Sequence, residues 1–419
     1  MPLATYLEEW APWLQDQVFL YQRYSDESVT ILIHSREHAG RNARRRIRYV
    51  SFSSAATLLA CLFLTACPGP DPTDRRGTPA EAERPSCLEP TTLFERLEFA
   101  SAERGGEILG RPDQWARQLS AFDRAARQRK LEPTTTEELL AFVSSNALSW
   151  RSEERAYWSR LVDRLSEAMT GLMLSVPEIF LVKTTGLEEF GFAYARDRAI
   201  VLPQGRLEIA GDERRDFFLL AHEFFHYLSV NNATLRDSLY QLLGFRLMED
   251  FTYPAEFEDR RVSNPAWYAD YVSVRVDTPR GPAELLPLIR TTIPLEEVIR
   301  LPTGGPPAIA RHIELVLVAV DPQTGRVLRE TAGAPITYPL DDTNLIDRMA
   351  RNTSYMFHPQ EVIADNFALL MEWRATGVQP GRVPGGPGEG FPVNDVPLLR
   401  AIESVLSQGC PDAGGMIRR

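Results

Sequence analysis

The strongest constraint on this chain is the segment FFLLAHEFFHYLS, in which His222, Glu223 and His226 interrupt a run that is otherwise apolar. At helical pitch, residues four apart share a face, so both imidazoles project from one side with Glu223 beside them. Phe217, Phe218, Leu219, Phe224, Phe225 and Leu228 require burial, and burying the three polar groups with them is costly unless they find partners. Asp212, Glu213 and Asp216 at the head of the run suit a helix N-terminus, which supports the helix independently of the motif. The segment reads as a buried helix whose polar groups need a common partner, and a metal ion supplies one.

The spacing is H-E-x-x-H, in which two histidines hold zinc and the intervening glutamate serves as a general base. A zinc site of this kind needs a third protein ligand and one open position. A ligand following closely, as in H-E-x-x-H-x-x-G-x-x-H, would need glycine and histidine at positions 229 and 232; the chain has Ser229 and Asn232. A carboxylate on a later helix is the better candidate. In YMFHPQEVIADNFALLMEW, Glu361 and Asp365 lie four apart, Pro359 suits a first helical turn, and Val362, Ala364, Phe367, Leu370 and Met371 have helical spacing. His358 is a competing ligand; it also fits an oxyanion-stabilising role or simple packing at the entrance of that helix. Tyr355 fits either hydrogen bonding to an oxyanion or the core.

H-E-x-x-H with a distant E-x-x-x-D resembles the gluzincin metallopeptidases, and the phrases HEFFHYLSVNNATLRDSLYQLLGF and HPQEVIADNFALL resemble bacterial lipoprotein members of that group. The resemblance covers these segments and the strands before them, about a third of the chain. It implies that His222, His226 and Glu361 are zinc ligands and that Glu223 activates water. It also implies that Asp365 accepts a hydrogen bond from the first motif histidine, fixing its tautomer. Glu361 follows His226 by about 135 positions, farther than in the commonest gluzincins. The implied activity is hydrolysis of peptide bonds in a peptide or protein substrate, with Zn2+ as cofactor. PEIFLVKTT and GFAYARDRAIVLPQG read as β segments turning at Arg196-Asp197-Arg198, a sheet edge to which an extended peptide could add.

A second signal lies near the front. RNARRRIRYVSFSSAATLLACLFLTACPGPDP has an arginine-rich stretch, an apolar run from about Phe52 to Thr65, and Leu64-Thr65-Ala66-Cys67, which looks like a bacterial lipoprotein signal with its lipobox. The apolar run is shorter than the ~20 residues of a membrane-spanning helix. Cleavage before Cys67 would leave a lipid-anchored protein in the cell envelope, facing the periplasm. Residues 1–46 precede this signal, either because translation starts nearer the arginines or because the extension is genuine. After processing, Cys87 and Cys410 remain near the two ends of the chain and could pair in an oxidising compartment.

The expected class is α+β, a mainly helical zincin-like domain with a small sheet before the motif helix and an inserted β-rich subdomain. The segments are an N-terminal extension (1–46), the signal (47–66), a Pro- and Gly-rich tether (67–90), the first part of the catalytic domain (91–253), the insert (254–338) and the second part (339–419). Helical patterns cover Leu93 to Glu107, Pro112 to Arg129, Thr135 to Leu148, Glu153 to Leu174, Ala233 to Leu247 and Val396 to Leu406. Strands are expected in YADYVSVRVDT and in IELVLVAVDPQTGRVLRE, a hairpin turning at Pro322-Gln323-Thr324-Gly325. A net charge of −11 argues against general nucleic-acid binding. A different class, a non-catalytic lipoprotein binding module with a structural metal, is opposed by Glu223, because a structural zinc site takes four protein ligands and needs no base. Hydrolysis of a non-peptide amide would use the same site.

Overall fold

The computed structural model describes residues 21–25, 28–32 and 96–408, apart from 175, 177, 209–211, 249–250, 268–270, 304–306, 350–351, 354, 356–357 and 382–392. The chain divides into two units, Met1–Arg84 and Pro85–Arg419. In the first, β1 (Tyr21–Ser25) and β2 (Ser28–Leu32) form an antiparallel hairpin. The lipobox with Cys67, the tether, Cys87 and Cys410 lie outside the described residues. Among the described residues, no helix is long and apolar enough to cross a membrane.

The second unit is mixed α/β, with two sheets. In the first, β3 (Leu97–Phe99), β5 (Ile179–Thr184), β7 (Ala199–Pro203) and β6 (Tyr194–Arg196) are neighbours in that order, and the short β4 (Ala147–Leu148) pairs with β5. β6 and β7 form the expected hairpin, with Asp197 in the left-handed region at φ 51°. These strands are buried on both faces, and their alternate side chains enter two cores. Leu181, Ala195, Ile200 and Leu202 meet the motif helix in the main core. Phe180, Val182, Tyr194 and Val201 meet Trp115, Leu139 and Val143 of the N-terminal helices.

Those helices are shorter than their patterns suggest. Leu97–Phe99 pairs in parallel with β5 where a helix is expected, and the helix begins only at Ala102, capped by Ser101. The helical pattern from Pro112 to Arg129 is broken at Leu119, whose backbone is extended, and restarts after the Ser120 cap. Thr136–Ser145 starts at a full capping box of Thr135 with Glu138.

The second sheet has the order β12 (Thr337–Tyr338), β11 (Ile313–Ala319), β10 (Gly281–Thr291), β9 (Val272–Thr278) and β8 (Phe245–Leu247), all antiparallel. Expected as an insert from 254 to 338, this sheet starts earlier, at Phe245, and is built into the main core. Val272, Val274, Leu285, Leu317 and Ala319 pack with the motif helix's cluster, while Leu286, Leu288, Val318 and Val320 form a smaller core with Phe257. After β11 the chain turns at Asp321–Gly325 as expected, but the return pairs back through the isolated bridge Val320↔Val327 and not as a full strand, and a second isolated bridge, Arg329↔Pro335, joins it to the segment that follows.

Two long helices dominate the main core: the motif helix Glu213–Asn231 and the later helix Pro359–Thr376. Asp212 caps the first, accepting from the Arg215 amide at 3.2 Å. His358 caps the second, Pro359 takes its first position, and Gly377 at φ 70° ends it. Phe367 packs against Phe224 and Phe225, with ring centroids 6.4 and 5.6 Å apart. Gln360 ties the pair together with polar contacts, donating to Ser229 Oγ and accepting from the Tyr240 hydroxyl. Both helices are apolar nearly all round because the sheets and neighbouring helices cover every face.

Candidate metal centre and its cavity

The packing of these two helices brings His222, His226 and Glu361 together. His222 Nε2 lies 3.0 Å from His226 Nε2, and Glu361 Oε2 lies 3.2 and 3.3 Å from the two nitrogens. This buried group could hold a metal ion. Donor atoms in a tetrahedral site with bonds of about 2.0–2.2 Å stand roughly 3.3–3.6 Å apart, so the observed triangle is the same arrangement slightly tightened. The donor chemistry also fits a cation. His222 Nδ1 donates to Asp365 Oδ1 at 2.8 Å, which leaves the Nε2 of a neutral imidazole as a lone pair facing an imidazole nitrogen and a carboxylate. Three acceptors converging in a buried space are satisfied together by a positive ion and only in part by one proton.

Each ligand-helix group is held by further contacts. Asp365 Oδ2 accepts from Thr353, whose hydroxyl oxygen in turn accepts from the Tyr355 amide at 3.0 Å. Glu361 Oε1 accepts from Asn264 Nδ2 at 3.0 Å and from Trp267 Nε1 at 2.7 Å, leaving Oε2 for the histidines. His226 differs from His222: its Nδ1 is buried with no hydrogen-bond partner among the described residues. Asn264, Trp267 and Thr353 were not apparent from spacing, because each lies in an irregular segment and the chain has seven tryptophans with nothing to distinguish this one.

His358 is placed differently from Glu361. Its Nδ1 accepts from the Gln360 amide at 3.1 Å, and its ring stacks on Trp267 with centroids 4.2 Å apart and planes 5° from parallel. It lies outside the converging group that could hold a metal ion and is not among the residues lining the cavity; it caps its helix and packs on Trp267. Tyr355 lines the cavity, and its ring stacks over that of His222 at 6.2 Å and 15°.

Burial alone would lower the basicity of His222, but hydrogen bonds to Asp365 and Glu361 raise its pKa well above the ordinary value. Burial pushes the Glu223 carboxyl up, against the pull of His226 and His222. For Glu361 burial acts in the same direction, yet the two histidines hold it well below the usual carboxylate range. Burial and the carboxylates of Glu361 and Glu223 raise the Tyr355 phenol well above its ordinary value, so it keeps its proton. Glu223 Oε2 is buried without a hydrogen-bond partner among the described residues, in the lining of the cavity.

That cavity has a volume of about 480 Å³ and runs between the motif helix, the segment before β6 and the second sheet. Gly186, at φ 82° and with a Cβ position only 2.7 Å from Pro203, permits the turn that leads to residues 189–193 on the cavity wall. Phe190 sits there in the left-handed region at φ 57°. Behind it, Arg127 holds Glu189 through Nε at 2.7 Å and Nη2 at 2.5 Å, and Asp123 through Nη1 at 2.7 Å. Asp123 also accepts from the Ser263 amide and hydroxyl, which fixes two walls of the cavity to one buried network. Glu188, beside it, is 1% exposed.

No protein-family profile, curated protein or solved structure matches this chain.

Proposed function

We propose that the protein is a zinc-dependent metallopeptidase of gluzincin type on a zincin-like domain, exported and lipid-anchored at Cys67. The observation that carries this reading is the convergence of His222 Nε2, His226 Nε2 and Glu361 Oε2 within 3.0–3.3 Å, with Glu223, whose Oε2 has no hydrogen-bond partner among the described residues, beside them. Zinc held by these three residues would supply Lewis-acid polarisation of a carbonyl and make water acidic enough to ionise near neutral pH. Glu223 takes the proton of the attacking water and passes it to the leaving amine. In this reading Tyr355, which lines the cavity with its ring stacked on that of His222, donates to the developing oxyanion. Asp365 holds the His222 tautomer, and Asn264 and Trp267 orient Glu361.

The cavity favours an extended chain. β6 is the edge of the first sheet, and Phe192, Ala193 and Tyr194, leading into and beginning it, line the same space as His222 and Glu223. A peptide backbone laid along that edge would pass the metal ligands.

The test combines metal content with turnover. The wild-type chain should hold near-stoichiometric zinc and cleave unfolded polypeptides. Glu223→Gln should keep its zinc and lose about 10²–10⁴-fold in rate, the range for a missing general acid–base group. A correctly folded wild type that takes up no zinc when zinc is offered would overturn the reading.

A further inference from the structure

Two guanidinium groups in the cavity have no place in the chemistry described so far. Arg206, on the short helix Gln204–Glu208, and Arg215, in the first turns of the motif helix, both line the space that contains His222 and Glu223. Neither side chain makes a hydrogen bond or ion pair among the described residues. By contrast, Arg127, Arg196, Arg214 and Arg374, also partly or fully buried, are each matched to a carboxylate.

The cost of leaving them so is visible. Burial and the like charge of Arg215 lower the pKa of Arg206, with Asp216 and Glu223 only partly opposing. The other acids on the cavity wall are committed elsewhere: Glu189 to Arg127, Asp365 to His222, and Glu361 to the two histidines. Two like charges held together in a partly desolvated cavity are stabilised by an anion that enters it, and arginine is suited to paired hydrogen bonding with a carboxylate.

Position narrows the substrate. Arg215, Leu219, His222, Glu223 and His226 form one stripe on the motif helix, and all face the cavity. His222 follows Arg215 by seven residues, which at 1.5 Å per residue is about 10 Å along the axis, or roughly three residues of an extended peptide. Phe218 and Leu219 lie between the two on the helix, and Phe190, Phe192 and Ile309 also line the cavity, so its walls are largely apolar.

We propose that Arg206 and Arg215 form a carboxylate-binding subsite, and that the substrates are peptides with a negative charge within about three residues of the cleaved bond and an apolar residue between. The proposal rests on the peptidase reading for its location in a substrate cleft. The carboxylate comes either from a free C-terminus or from an aspartate or glutamate side chain, and both offer the same group to the arginines.

The experiment is a calorimetric titration of the full chain carrying Glu223→Gln, which binds without turning over. Three probes distinguish the sources: an alanine- and phenylalanine-containing tetrapeptide with a free C-terminus, its C-terminal amide, and the amide with glutamate in place of one alanine. At least one acidic probe should bind tenfold or more tighter than the neutral amide, and whichever does so names the source. In Arg206→Gln/Arg215→Gln the advantage should fall to within twofold, whereas Arg215→Lys should retain part of it. Should the double variant fail to fold, raising salt from 50 to 500 mM should erase the same advantage. Equal binding of all three probes, no binding of any, or an advantage that survives both the double substitution and high salt overturns the proposal. Because the titration reads binding alone, an intact carboxylate preference in a chain whose wild type cleaves nothing would sink the peptidase reading and leave the subsite standing.

Discussion

Glu188 allows a stability prediction independent of any activity. Burial pushes its carboxyl up to about 7 from an ordinary 4.5, outweighing hydrogen bonds from Thr184 and from the backbone amides of Glu188 and Gly186, and the neighbouring Glu189 charge acts with burial. Between those two pH values the folded state holds a proton that the unfolded state has released, so stability falls as pH rises. Below about pH 4.5 both states are protonated and there is no penalty. Above about pH 7 both are ionised and the penalty is complete, at about 3 kcal/mol from 1.36 kcal/mol per pH unit. Glu188→Gln keeps the shape and removes the titration. In urea unfolding at fixed excess zinc, the variant should therefore be about 3 kcal/mol more stable relative to wild type at pH 8 than at pH 4.5, with unchanged slope. Any fixed cost of burying the amide cancels in that difference. An advantage of the same size at both pH values would refute the reasoning, because it would place the effect in packing and not in ionisation.

Three other perturbations probe the site and its supports. Trp267→Phe preserves an aromatic ring against His358 but removes the donor to Glu361 Oε1, and should weaken zinc binding about tenfold in competition with a chromophoric chelator; unchanged affinity would show that Asn264 alone suffices. Asp365→Ala releases the His222 tautomer and should cost about 10–100-fold in zinc affinity by the same assay, with retention of full affinity counting against the arrangement. Arg127→Met leaves Asp123 and Glu189 buried without their cation and should destabilise the fold by about 3–5 kcal/mol in urea at pH 7, where a loss below 1 kcal/mol would mean that the network relaxes or hydrates.

Much of this organisation could be read along the chain, because it is local. The motif helix, its acidic start and the positions of His222, Glu223 and His226 on it follow from periodicity over a few turns. The later helix was legible for the same reason, with Pro359 marking its start and Asp365 one turn beyond Glu361. β10 was not legible. Pro282 and Pro287 lie within it and normally argue against a central strand. The structure tolerates them because β9 pairs only with Gly281–Leu285; at Pro287 the neighbour is β11, on one side. The break at Leu119 was hidden too, since Ser120 signals a new helix only once the chain is seen to bend there.

Sequence by itself determined which residue types stand at helical spacing, and hence that two imidazoles and a carboxylate share a buried face and need a partner. Only the tertiary structure decided between Glu361 and His358 as the third member of the converging group. Helix Pro359–Thr376 crosses the motif helix so that Glu361 meets both histidines, while His358, three residues earlier, is taken up as the helix cap against Trp267. Tertiary contact also brought Asn264 and Trp267 to Glu361 across nearly a hundred residues, and set Arg206 and Arg215 in the cavity without partners among the described residues. Such placements depend on how far apart in space two elements come to rest, which follows from packing of the whole core and is not written in the spacing of either element.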